Sequence, residues 1–184
     1  MNSLEGLPHI AAHLQRFRSI LSGRREVANG RIRYFQLQWP RSEHIFTDEK
    51  IVVPYRAETN SFAYNSAEWF CRSDCYVLTK KSPAYDLRYF LALLNSKLYF
   101  QWLYHRGKRK GKMLELFQVP ISEIPIKHIS KTDQGCFIGL ASQILERKKN
   151  DPEANTAALE ADIDRHVYAL YGLTKEEIAT VEGA

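Results

Sequence analysis

The chain has 184 residues, 45% of them hydrophobic and 12% aromatic, which supplies a real core and excludes a disordered tail. Its net charge of +5 is unevenly divided: residues 1–130 carry 20 Lys and Arg against 11 Asp and Glu (+9), whereas residues 131–184 carry 6 against 10 (−4). No apolar run approaches the roughly 18 residues of a membrane span, and the N-terminus lacks the basic and apolar regions of a signal peptide, so a soluble cytoplasmic protein is expected.

Ile10, Leu14, Phe17 and Leu21 recur at helical spacing, with Pro8 suited to a first turn and Gly23 to a stop, and predict a helix over 7–21. Arg31 to Trp39 alternates polar and apolar residues, the pattern of a half-buried strand ended by Pro40. Lys50–Tyr55, Ser61–Tyr64 and Tyr76–Thr79 are short aromatic or β-branched runs separated by turn-prone stretches, as in an irregular antiparallel sheet. Leu87, Leu91, Leu94, Leu98 and Trp102 share one helical face, with Asn95-Ser96 as a candidate interruption and Ser96 as the cap of a second segment.

A basic glycine loop follows, then Met113–Phe117, which reads as extended. Pro120 and Pro125 next frame an irregular core-contacting segment carrying Ile121, Ile124 and Ile126. The tail reads as helices: one through Phe137, Leu140, Ile144 and Leu145, one through Leu159, Ile163, Val167 and Leu170, and a last one opened by the capping box Thr174-x-x-Glu177. The predicted class is α+β, an irregular, mostly antiparallel sheet flanked by helices with a C-terminal helical extension. Residues 1–130 and 131–184 are the expected domains.

Catalytic signatures are sparse. There is no glycine-rich nucleotide loop, no G-x-S-x-G and no H-E-x-x-H. Cys71, Cys75 and Cys136 lack the spacing of a metal site and are expected as thiols in a reducing cytoplasm. His9 and His13 lie at i and i+4 without further ligands and read as surface residues. Asp48-x-Lys50 faintly matches half of a metal-dependent nuclease site, but Glu26 and Glu43 are poor candidates for its upstream acid. No metal, cofactor or catalytic residue is assigned within this chain.

Binding chemistry is better supplied. Arg106, Lys108, Arg109, Lys110 and Lys112, jointed by Gly107 and Gly111, follow directly on an apolar helix, an arrangement suited to a polyanion. Upstream cations are all arginine up to residue 41, and the planar guanidinium fork can clamp phosphate or read guanine.

The order of these segments carries a resemblance. A helix ends near Arg24-Arg25, followed by Trp39-Pro40-Arg41, Lys50–Tyr55 (KIVVPY), Phe62, a strand with Tyr76, Leu91–Leu98 (LALLNSKL), the basic loop and Ser122–Ile126 (SEIPI). This resembles the TaqI-like C-terminal specificity domain of bacterial DNA adenine methyltransferases and of fused type IIG restriction-modification enzymes. The tail Ile163–Ile178 (IDRHVYALYGLTKEEI) is similar to the closing helices of those enzymes.

The resemblance implies a C-terminal fragment without methyl-transfer activity. The catalytic part, with its Asn-Pro-Pro-Tyr/Phe motif and S-adenosylmethionine site, and with Mg2+ as a further candidate cofactor, would precede it. The expected partners are double-stranded DNA and that methyltransferase domain, and no membrane. Arg106, Lys108, Arg109, Lys110 and Lys112 are expected to anchor phosphates, and Arg31, Arg33, Arg41 and Arg56, on loops around the sheet, to read bases. The alternatives are a protein-interaction module docking through the acidic tail, a metal-dependent nuclease fragment, and RNA binding, which composition alone leaves open.

Overall fold

The structure is a computed structural model that describes residues 3–183. It divides into two compact units, residues 1–42 and 43–184. The first contains α1 (Pro8–Gln15), α2 (Arg18–Ser22) and α3 (Arg25–Ala28). The predicted helix over 7–21 is therefore broken at Arg16-Phe17. The predicted strand over 31–39 does not form. That stretch is a chain of turns and bends. Arg24 explains part of it: its Nη2 donates to the carbonyls of Tyr34 (2.7 Å) and Gln36 (3.0 Å), so a guanidinium takes the acceptors that a strand would have paired.

The second unit is built around one buried helix. β1 (Lys50–Pro54) is the centre of an antiparallel sheet in the order β3 (Ala63–Asn65), β1, β4 (Cys75–Thr79), with Ile51 opposite Tyr64 on one side and Leu78 on the other. It follows α4 (His44–Thr47). One residue past β1, β2 (Arg56–Ala57) joins a second antiparallel sheet in the order β2, β6 (Met113–Glu115), β5 (Lys108–Lys110). Tyr55 is the crossing point: its N–H donates to Asp74 in the direction of the first sheet, and its C=O accepts from Leu116 beside the second.

α5 (Leu87–Leu94) is the centrepiece, with Leu87, Tyr89, Leu91, Ala92, Leu93 and Leu94 all buried. Asp86 starts it, accepting from the Arg88 N–H while its carboxylate pairs bidentately with the Arg88 guanidinium at 2.9 and 2.7 Å. After Asn95-Ser96 the chain re-enters α6 (Lys97–Arg106), the interruption anticipated from sequence. The segment Gln118–Ser122, expected to be irregular, forms the short helix α7, and Ile124 beyond it is buried. The tail forms α8 (Gly135–Asn150), α9 (Ala157–Tyr171) and α10 (Lys175–Glu182), the last with the predicted reciprocal capping box. Phe137, Ala141, Ile163 and Val167 of α8 and α9 enter the same core as α5 and β1. The α+β class with a helical C-terminal region is thus correct.

Asn95 explains why the helix breaks where it does. Its side-chain amide accepts from the Phe62 N–H (2.9 Å) and donates to the Phe62 C=O (2.8 Å), imitating a strand neighbour for a residue just outside β3. Asn60 reciprocates, donating to the carbonyls of Leu94 and Ser96 at the helix junction. Asn95→Ala leaves both backbone groups of the buried Phe62 without these partners and is expected to cost about 2 kcal/mol, read as a lowered urea midpoint at unchanged slope. Asn95→Asp should be no better, because it turns an amide donor into a carboxylate facing the Phe62 carbonyl.

The tail is fastened through carboxylates of opposite character. Buried Asp164 of α9 accepts from the Lys97 N–H at the start of α6 (2.9 Å), and burial pushes its pKa above the ordinary 3.8 despite that hydrogen bond. Glu182 of α10 accepts from Lys97 Nζ and Tyr168 Oη, which lower its pKa; Asp86, through Arg88, is lowered too. A carboxylate with a raised folded-state pKa stabilises below its unfolded pKa, and that contribution is lost as pH rises through the folded value. The lowered pair acts oppositely, stabilising above the ordinary carboxylate range and fading as pH falls. Asp164→Asn, which keeps an oxygen for the Lys97 N–H, should therefore gain stability relative to wild type as pH rises from about 4 to 7 and converge with it in acid. Thermal melts across that range test the sign.

Candidate nucleic-acid interface

The basic loop is not a loop. Lys108–Lys110 forms β5, the edge strand of the second sheet, and turns back through Gly111-Lys112 into β6 with Lys110 opposite Met113. The two-residue connection needs a left-handed residue, and Gly111 supplies it with φ +62°. Arg106 ends α6, where a cation also complements the helix dipole. All five predicted phosphate contacts thus lie on one helix end and one hairpin, and all five are exposed. Among the described residues none of the five forms an ion pair. An edge strand made of Lys-Arg-Lys also repels pairing with another strand, so its cations remain available to a ligand.

The hairpin packs closely on α6 at its root. Gly107 lies so close to α6 that an added Cβ would stand 2.5 Å from the Leu103 carbonyl oxygen. At the far side, Leu114 and Leu116 are buried and anchor β6 in the core.

Of the proposed base readers, Arg56 belongs to the unit that carries the hairpin. Arg31, Arg33 and Arg41 belong to the 1–42 unit and sit on an irregular segment there. That unit is nonetheless strongly cationic, with seven arginines against two glutamates. Arg56 does lie in the hairpin sheet, but Nε and Nη2 both donate to Glu115 Oε1 (3.0 and 2.7 Å), and its Cζ rests 4.8 Å over the Tyr55 ring. Its fork is half occupied within the protein. Glu115, an acid inside a basic sheet, is a site residue that sequence reasoning missed. The register that puts it opposite both Arg56 and Lys108 is visible only in the ladder. Tyr104 is another: Arg109 Cζ lies 4.0 Å over its ring, a pairing across the α6–β5 turn.

Two other candidate chemistries resolve into structure. Lys50, of the Asp48-x-Lys50 pair, is fully buried, and its Nζ donates to the backbone carbonyls of Asp48 (2.8 Å) and Ala67 (2.6 Å). It ties two loops together and does not face the Asp48 carboxylate. His9 and His13 are exposed on α1, with His13 packed against Phe17. Among the described residues no three His, Cys, Asp or Glu side chains converge as metal ligands would, and no helix is long and apolar enough to cross a membrane.

The sequence profile of the TaqI-like C-terminal specificity domain matches residues 22–126. The chain belongs to this family. The matched region of the specificity domain runs from the end of α2 to Ile126 and contains the hairpin, whereas α8–α10 lie beyond it. Two curated relatives from Haemophilus influenzae are similar at 28% identity over 104 residues: the type II methyltransferase M.HincII, and the type II methyltransferase M.HindII of strain Rd. The alignments take in 52% of this chain but only 21% and 20% of those proteins, so the specificity domain matches about a fifth of its relatives' length.

Proposed function

We propose that this chain is a non-catalytic, sequence-specific recognition domain for double-stranded DNA, working with the methyltransferase part of a type IIG restriction enzyme or N6-adenine DNA methyltransferase. The observation that carries this reading is the exposed cationic hairpin, set within a specificity domain whose relatives are named as type II methyltransferases. Arg106, Lys108, Lys110 and Lys112 supply phosphate contacts that set position and register, and base discrimination comes from arginine forks. S-adenosylmethionine, adenine flipping and any Mg2+ chemistry belong to the catalytic part of such an enzyme, in the bacterial cytoplasm. The acidic tail does not favour the rival protein-docking role, because Glu182 and Asp164 are already engaged by α6 and α9 of the same chain.

Competition separates this reading from RNA binding. With a labelled mixed-sequence DNA duplex bound to the chain, unlabelled duplex DNA should displace it, whereas an RNA duplex, whose deep and narrow major groove closes its base edges to side chains, should compete poorly. Equal competition by both would reject sequence recognition in favour of generic polyanion binding.

A further inference from the structure

The hairpin's four cations are not equivalent, because a strand sends successive side chains to opposite faces. Lys108 and Lys110 stand opposite Glu115 and Met113, on the face shared with Arg56. Arg109 stands opposite Leu114, which pairs with Ala57 on its other side, and so lies on the other face, where it meets Tyr104 of α6. One row of phosphates cannot serve both faces of so narrow a ribbon.

Arg109 also differs from the carboxylate-paired arginines of its unit in what it touches. Arg56, Arg88 and Arg165 give their guanidinium N–H groups to Glu115, Asp86 and Asp162. Among the described residues no carboxylate or carbonyl accepts from Arg109, whose guanidinium lies against the face of the Tyr104 ring. Phe100, one turn earlier on α6, packs against that ring with centroids 5.8 Å apart. The Gly107 contact with Leu103 fixes the strand to the helix that carries both rings. With one face covered by tyrosine, the guanidinium offers its edge, and the N–H groups of that edge match two acceptors lying side by side in a plane. In a DNA groove, guanine O6 and N7 present that pair, and a two-stranded ribbon is narrow enough to enter the major groove. Stacking also removes much of the freedom that a long side chain would otherwise lose on binding.

We infer that Arg109 is a specificity-determining residue that pairs with guanine in the major groove, and that Tyr104 is the positioning residue that holds its fork edge-on. This rests on the DNA-recognition reading above. Lys108 and Lys110, on the opposite face, then contact phosphate.

The test is selection of duplexes from a random library by the whole chain and by three variants, with salt-dependent binding to an unselected duplex measured alongside. Wild type should enrich a motif with at least one guanine position. Arg109→Lys keeps the charge but not the fork, and should lose that preference by roughly 5- to 150-fold while the salt dependence on unselected DNA is unchanged. Tyr104→Leu should weaken preference at the same position, and Tyr104→Phe, which keeps the ring, should restore it. Uniform weakening on all sequences in Arg109→Lys, or a wild type that binds with salt dependence but enriches no motif, would overturn the inference and leave DNA binding standing. A wild type that does not bind duplex DNA would overturn both.

Discussion

Gly107→Ala should destabilise the 43–184 unit by about 3 kcal/mol and weaken duplex binding together with it, although residue 107 carries no charge and needs to touch no DNA. The new methyl would stand 2.5 Å from the Leu103 carbonyl oxygen, with the Leu103 carbonyl carbon and Cα at 3.3 and 3.4 Å. All three are backbone atoms in the last turns of α6, so no side chain can swing away. Relief requires β5 to move off the helix or the helix end to unwind. Either movement shifts Lys108–Lys110 and parts Arg109 from Tyr104. The methyl group itself is compatible with the backbone angles at 107 (φ −78°, ψ −171°), so the penalty comes from contact and not from the turn. A urea titration gives the stability change, and binding of the folded fraction gives the functional one. A Gly107→Ala protein of wild-type stability and affinity would show that the hairpin is not braced by α6.

The second large effect is electrostatic. Replacing Lys108 and Lys110 together by Gln should weaken binding to any duplex by roughly 60-fold at 0.1 M salt, because two lost phosphate contacts lower the slope of log K against log salt by about 1.8 over the decade down from about 1 M, where the electrostatic contribution vanishes. The loss should be equal for all sequences, since lysines on phosphates carry no base information. Stability should hardly change, because both side chains are exposed and neither is in an ion pair. A loss confined to some sequences would mean that the lysine face of the ribbon reads bases.

The parts legible from sequence share a physical cause. α5 and α9 are legible because burial imposes apolar residues at helical spacing, and Thr174 marks a helix start because capping needs particular side chains there. Lys50–Tyr55 is recognisable as a β-branched run ending in an aromatic residue. Two stretches misled for the opposite reason. Arg31–Trp39 alternates as a strand does, yet Arg24 takes carbonyls that a ladder would need, a tertiary contact with no local signature. Lys108–Lys110 has no apolar residue at all, and becomes a strand because Met113–Glu115 beside it is anchored by Leu114. The cations of the candidate site were visible as charges, but their division between two faces depends on register, and so do the roles of Glu115 and Tyr104. LALLNSKL is distinctive for a reason of the same kind: its asparagine is the partner of Phe62, distant in sequence.

In the proposed function, this specificity domain holds DNA through its hairpin and helix-end cations. The most direct measurement is the affinity of the whole chain for a duplex at several salt concentrations between about 50 and 200 mM. Four phosphate contacts, from Arg106, Lys108, Lys110 and Lys112, predict a slope of log K against log salt of roughly −3.6. A flat dependence, or no binding at the lowest salt, would contradict the account.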